Sequence, residues 1–152
     1  MDQKVKQGST MTPVMNAEEV NAYLCEVYPQ LNHEHSEYRA VDVWPGGCLV
    51  RLQASDRHLR PGGTVSGPSL FTLADIGGYV CALSHIGRKA LTVTTNLNIN
   101  FMRKAPAGDI DGRCSILKLG RSLMVFDVAI SVSGNSDLVA HATGTYAIPP
   151  QK

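Results

Sequence analysis

The chain has no excess of either charge: 14 Lys and Arg stand against 13 Asp and Glu in 152 residues, a formal net charge of +1. Without a global positive field, neither nucleic acid nor an anionic membrane is an expected partner, and any anion site must be local. No apolar run approaches the ~20 residues of a membrane-spanning helix. The opening MDQKVKQGST lacks the apolar stretch of a secretory signal, so the expectation is a soluble, cytoplasmic protein. Cys-x-x-Cys is missing, and none of Cys25, Cys48, Cys81 and Cys114 has a histidine at zinc-ligand spacing. The four read as reduced, mostly buried thiols, and no metal or redox cofactor is expected. Pro61-Gly62-Gly63 lacks the Lys-Ser/Thr of a phosphate-cradling loop. Hydrophobic residues at 43% with charged residues at 18% exclude disorder, collagen and coiled coil. The length suits one domain with a sizeable core.

Residues 1–16 are polar and irregular and read as a flexible arm ahead of a single domain over residues 17–150. Asn16 is a good N-cap residue, and Val20, Tyr23, Leu24 and Val27 recur at helical spacing. A helix over 17–28 is predicted, ended by Pro29. A connector over 31–37 carries His33 and His35. Period-two alternation predicts strands over 38–44 and 48–54 around the turn Pro45-Gly46-Gly47, then a loop over 55–66. A helix over 67–84 follows, with Pro68 in its first turn, where a missing N–H costs nothing. Its apolar residues cover nearly the whole circumference, so it should be buried on most sides.

Beyond Gly87 the period returns to two. Val93, Thr95, Leu97, Ile99 and Phe101 share one face, and Thr94, Asn96, Asn98 and Asn100 the other. Three more strands are predicted over 109–119, 122–132 and 138–148, with turns at Gly120-Arg121 and Gly134-Asn135. Helices segregated from a continuous antiparallel meander make the class α+β. A sheet of about six strands wrapped around the long helix buries that helix, and leaves sheet edges for a partner subunit.

Asp75 does not fit its surroundings. It is the only charged residue between Arg60 and Arg88, in the middle of a helix that must be buried. An unpaired buried carboxylate costs several kcal/mol, which a site explains more readily than packing does. A structural Asp that caps backbone or pairs with an Arg is the other reading. Gly67 stands eight residues earlier, at the helix start, where free N–H groups carry partial positive charge and suit a carbonyl oxygen becoming an oxyanion. Eight residues are a little over two turns, which puts the two on roughly similar faces. A plain helix start is the competing reading for Gly67.

The segment from His58 to Asp75, HLRPGGTVSGPSLFTLAD, followed by TVTTNLNINF at 92–101, resembles the hotdog-fold thioesterases of the phenylacetate-degradation branch. The likeness runs over residues 38–149 and includes the order of elements. It implies hydrolysis of acyl-CoA thioesters at a dimer interface, in homodimers or dimers of dimers. It implies that Asp75 is the carboxylate acting as base or nucleophile, that the Gly67 N–H polarises the thioester carbonyl, and that Thr94 is a hydroxyl supplied by the partner subunit. Ser66 and Pro68 flank Gly67 where the family commonly has His and Gly, and Arg60 stands where it often has Asn. Beside Asp75, Arg60 would favour the ionised carboxylate or silence it in an ion pair.

His58 lies nine residues before Gly67, a spacing similar to that of hydroxyacyl thioester dehydratases, but Thr72 stands where those need an acid. A loop histidine at the edge of the substrate site is then the better reading. Ser66, Phe71, Tyr79 and Thr95 join Arg60 and His58 as substrate-binding candidates. Arg103, Lys104 and Arg121 are candidates for coenzyme A phosphates, against the plain alternative of solvated surface cations. A non-catalytic acyl-CoA binder of the same fold is the alternative function, and a dehydratase a weaker one.

Overall fold

The computed structural model describes residues 11–31 and 37–150; His33, His35 and residues 1–10 lie outside the described residues. Helix α1, Ala17–Val27, starts on a full capping box. The Asn16 Oδ1 accepts the Glu19 N–H at 2.8 Å, and the Glu19 carboxylate accepts the Asn16 N–H at 3.0 Å. Residues 11–16, expected in a loose arm, are docked instead. The N–H groups of Val14 and Met15 donate to the Ser84 carbonyl, and the Met15 side chain is buried.

Strands β1, Tyr38–Trp44, and β2, Gly47–Ala54, form the expected hairpin. The expected loop over 55–66 contains a short 3-10 turn, Asp56–His58, and a two-residue hairpin of β3, Leu59–Arg60, with β4, Thr64–Val65. Helix α2, Gly67–Ile86, runs two residues past expectation and stops at Gly87, whose φ of +96° suits glycine. Its length and apolar composition alone would suffice to cross a membrane, more than the sequence reading allowed, but most of it is buried inside the fold.

Four strands follow: β5, Val93–Phe101; β6, Gly108–Leu119; β7, Leu123–Val132; and β8, Leu138–Ala147. All six long strands form one antiparallel sheet in the order β1-β2-β6-β7-β8-β5, wrapped around α2. The last four are therefore no continuous meander, because β5 pairs with β8 at the far edge and β6 inserts beside β2. The reason lies in the link over 102–107, which crosses the start of α2. It is held there by Val65 N–H to Ala105 O at 2.9 Å and by Met102 N–H to Val139 O at 2.8 Å. This crossing carries Arg103 and Lys104 to the beginning of the helix.

Helix and sheet approach closely where glycine allows it. The Phe126 ring, fully buried, lies against Gly78 of α2 and Gly144 of β8; a Cβ on Gly144 would come within 2.7 Å of its Cζ. The two sheet edges differ. At β1, the Asn21 side chain of α1 donates to the Ala40 carbonyl at 2.8 Å and accepts the Ala40 N–H at 2.9 Å, taking up both groups that a further strand would use. At β5 no strand or helix pairs beyond Val93–Phe101 among the described residues, and Leu91, Val93, Phe101 and Met102 are exposed.

Candidate active site

Asp75 is held by two hydroxyls from two strands. Thr94 Oγ1 of β5 donates to Asp75 Oδ1 at 2.6 Å, and the Tyr146 hydroxyl of β8 lies 2.7 Å from both Oδ1 and the Asp75 main-chain oxygen. Thr94 and Tyr146 are direct cross-strand partners, so their side chains share one face. That face is the inner one because the register shifts between Thr94 and Asn96 and leaves Thr95 as an extra residue, its hydroxyl 3.2 Å from the Thr145 carbonyl. The bulge corrects the expected alternation of β5: Thr94 faces the helix together with Leu97, not outward with Asn96 and Asn98. It also corrects the expected origin of the hydroxyl. Thr94 reaches Asp75 within one chain.

The carboxylate lines a cavity of about 400 Å³ whose walls include Tyr28, Thr72, Ile76, Tyr79, Val93 and Tyr146. Tyr79, proposed from the sequence, stacks on Tyr146 with ring centroids 6.0 Å apart and donates its hydroxyl to the Ala90 carbonyl at 2.7 Å. Burial raises the Tyr79 phenol above its ordinary range. Tyr146 and Tyr28 were not picked out from sequence. An inward tyrosine in a strand of small residues, Ala140, Ala142 and Gly144, is the one signal that could have exposed Tyr146, because a buried phenol needs a partner.

Gly67 opens on a different cavity, of about 360 Å³, shared with Arg60, Leu70, Phe101, Arg103 and Lys104. Eight helical residues at ~1.5 Å rise set Gly67 about 12 Å from Asp75 along the axis, so a shared helix face does not bring them to one site within a chain. The Ser66 side chain is spent as the N-cap, accepting the Ser69 N–H at 3.3 Å and donating to Ser69 Oγ at 2.9 Å. The Gly67 N–H has no hydrogen-bond partner among the described residues. Arg60 lies at this end of the helix, exposed, and within one chain it does not stand beside Asp75.

The remaining candidates scatter. His58 is buried, with Nδ1 accepting the Ser55 N–H at 2.9 Å and Nε2 3.4 Å from Glu37 Oε2, and it lines neither cavity. Both nitrogens are engaged, which corrects its place among the substrate-binding candidates. Phe71 is exposed on α2 and lines neither cavity. Arg121 sits with Lys89, Ile86 and Ile148 around a third cavity at the opposite end of α2. The Sγ atoms of Cys48, Cys81 and Cys114 lie within 4.8 Å of one another in the core, three soft ligands whose Cys48 member points at the Gly77 carbonyl. They line neither cavity, and Cys25 alone of the four is exposed.

A long helix wrapped by a six-stranded antiparallel sheet is the hotdog architecture. The sequence profile described as "Thioesterase superfamily" matches residues 62–138. The chain is 37% identical over 103 residues to the Pseudomonas aeruginosa protein named "Putative esterase PA0474", an alignment covering 66% of this chain and 75% of that protein. A solved structure from Silicibacter sp. TM1040, named "putative thioesterase", shares 46% identity, covers 92% of this chain and 96% of its own, and superposes with a TM-score of 0.83. Zebrafish thioesterase superfamily member 2, at 22% identity, has the same fold with a TM-score of 0.76, over 89% of this chain and 99% of its own. This chain belongs to the thioesterase superfamily.

Proposed function

We propose that the protein hydrolyses acyl-CoA thioesters at a site completed by two copies of the chain. One copy supplies Asp75 with Thr94 and Tyr146; the other supplies Gly67 with Arg60, Arg103 and Lys104. The observation that carries the reading is the separation itself: a clamped carboxylate and an unpartnered helix-start N–H, about 12 Å apart in one chain, open on separate half-sites. The free β5 edge with exposed Leu91, Val93 and Met102 is where a second copy extends the sheet.

In this arrangement the thioester carbonyl accepts the Gly67 N–H, and the helix start stabilises the negative charge that develops on its oxygen. Asp75 then acts in one of two ways. It removes a proton from a water that attacks the acyl carbon, or it attacks that carbon itself to form an anhydride that water then cleaves. In both, the C–S bond breaks and the coenzyme A sulfur leaves as thiolate and picks up a proton. Arg60, Arg103 and Lys104 meet the phosphates at the mouth.

A non-catalytic binder would be favoured by an Arg60–Asp75 ion pair, which does not form within one chain and which thiol release tests across two. The test is a panel of aromatic and aliphatic acyl-CoA thioesters assayed for thiol release, with calorimetric binding of the same ligands. Release of free thiol from at least one member is expected; tight binding with no release from any member would establish the binder instead.

A further inference from the structure

The two oxygens of the Asp75 carboxylate have different surroundings. Oδ1 receives both hydroxyl contacts, from Thr94 at 2.6 Å and from Tyr146 at 2.7 Å, whereas Oδ2 has no hydrogen-bond partner among the described residues. We propose, on the reading that Asp75 drives hydrolysis, that Tyr146 is a positioning residue: its hydroxyl, with that of Thr94, pins Oδ1 so that Oδ2 is the oxygen offered to the substrate or to its water.

The Tyr146 ring is fixed before any substrate arrives. It is 3% exposed, stacked on Tyr79 and packed at 5.6 Å from the Phe126 ring, so the hydroxyl has one place to point. There it meets two acceptors with one proton to give. While the carboxylate is ionised, the charged Oδ1 makes the stronger bond. When a proton or an acyl group neutralises Asp75, the main-chain oxygen of the same residue, also 2.7 Å away, can take the proton by rotation of the O–H alone. The donor thus follows the charge of the carboxylate through the cycle without moving a heavy atom. Burial, and after it the charge of Asp75, pushes the Tyr146 phenol far above its ordinary range, so it stays a donor at every working pH.

Without such a clamp the terminal torsion of an aspartate is broad, and the plane of the carboxylate would not be fixed. The clamp also makes sense of the bulge at Thr95. A regular β5 would turn Thr94 outward and take its hydroxyl away from Oδ1.

Tyr146→Phe keeps the ring packing and removes only the hydroxyl. Its kcat for thiol release is expected to fall at least tenfold, the order of one hydrogen bond to a charged group, with KM changed less than about twofold and the folded circular dichroism spectrum retained. In an Asp75→Asn background, where no carboxylate is left to orient, the same substitution should leave the residual rate unaltered. A merely structural tyrosine would lower both backgrounds equally. Unchanged kcat, a rise confined to KM, or an equal fall in both backgrounds would each overturn the proposal. A wild-type enzyme inactive on the whole panel would instead remove the hydrolase reading. The ¹³C carboxyl resonance of Asp75 then still decides about Tyr146, since it must move in Tyr146→Phe if the hydroxyl binds it, and an unmoved resonance rejects the clamp.

Discussion

Asn21 and Ala40 are joined by two hydrogen bonds, amide to carbonyl and N–H to amide oxygen, that close the β1 edge of the sheet at the point where its pairing with β2 shifts register. Among the described residues the opposite edge has no such cover, and its exposed apolar residues include Leu91 and Met102 at either end of β5. Lysine at both positions places like charges across any β5–β5 junction and removes apolar contact from it. Leu91→Lys with Met102→Lys is expected to give a monomer by light scattering at micromolar concentration, with an unchanged circular dichroism spectrum and thiol release close to background. A variant that stays dimeric and active would move the junction elsewhere.

Asp75→Asn keeps the shape of the side chain and an acceptor for Thr94 and Tyr146, so the fold should survive. Both routes of hydrolysis need the ionised carboxylate. Loss of a base or nucleophile of this kind lowers rates by about 10²–10⁴, and a fall in kcat of at least about a hundredfold is expected, with substrate binding retained in calorimetry. Full turnover in this variant would remove Asp75 from the chemistry.

The lone charge in an apolar helix made Asp75 legible, because it violates a local rule of sequence, whereas a glycine at a helix start is ordinary and Gly67 stood out only beside Asp75 and through the family resemblance. Tyr146 violates none: a tyrosine inside a strand reads as core until something is seen to stand beside its hydroxyl. Thr94 was legible as a hydroxyl but not as a neighbour of Asp75 in the same chain, since alternation along β5 has no means of announcing a bulge at Thr95. Sheet order was hidden for a related reason. Strand periodicity gives faces and not neighbours, and the crossing of residues 102–107 over the helix start is fixed by long-range contacts such as Val65 to Ala105. That crossing is what places Arg103 and Lys104 beside Gly67.

Gly78 is required by the close approach of helix and sheet. A methyl group there would overlap the buried Phe126 ring, which is itself confined by Gly144 and Tyr146. Gly to Ala in a helix ordinarily gains about 1 kcal/mol from propensity, while overpacking a closed core costs about 1–3 kcal/mol. The second effect should win: Gly78→Ala is expected to lower the midpoint of urea unfolding with an unchanged m-value, and Gly78→Ala combined with Phe126→Leu should recover part of the loss. A stabilised Gly78→Ala would mean that the ring yields freely.

Arg103 and Lys104 are exposed, line the Gly67 half-site with Arg60, and have no ion-pair partner among the described residues. If they meet the phosphates of coenzyme A, their contribution belongs to binding and should be lost with the phosphates. Removing both as Arg103→Ala with Lys104→Ala should raise KM for an acyl-CoA by roughly tenfold, about 1.4 kcal/mol, and flatten the dependence of kcat/KM on salt, with kcat little changed. The same acyl group carried on N-acetylcysteamine, a thiol with no phosphate, should show no difference between wild type and variant. Arg60→Ala separates two roles within this cluster. A change in KM alone would place Arg60 with the phosphate contacts, whereas a fall in kcat on both thioesters would place it beside the carbonyl that Gly67 polarises. An Arg103–Lys104 variant that loses equally on the phosphate-free thioester would show that these cations serve the fold of the half-site rather than the nucleotide.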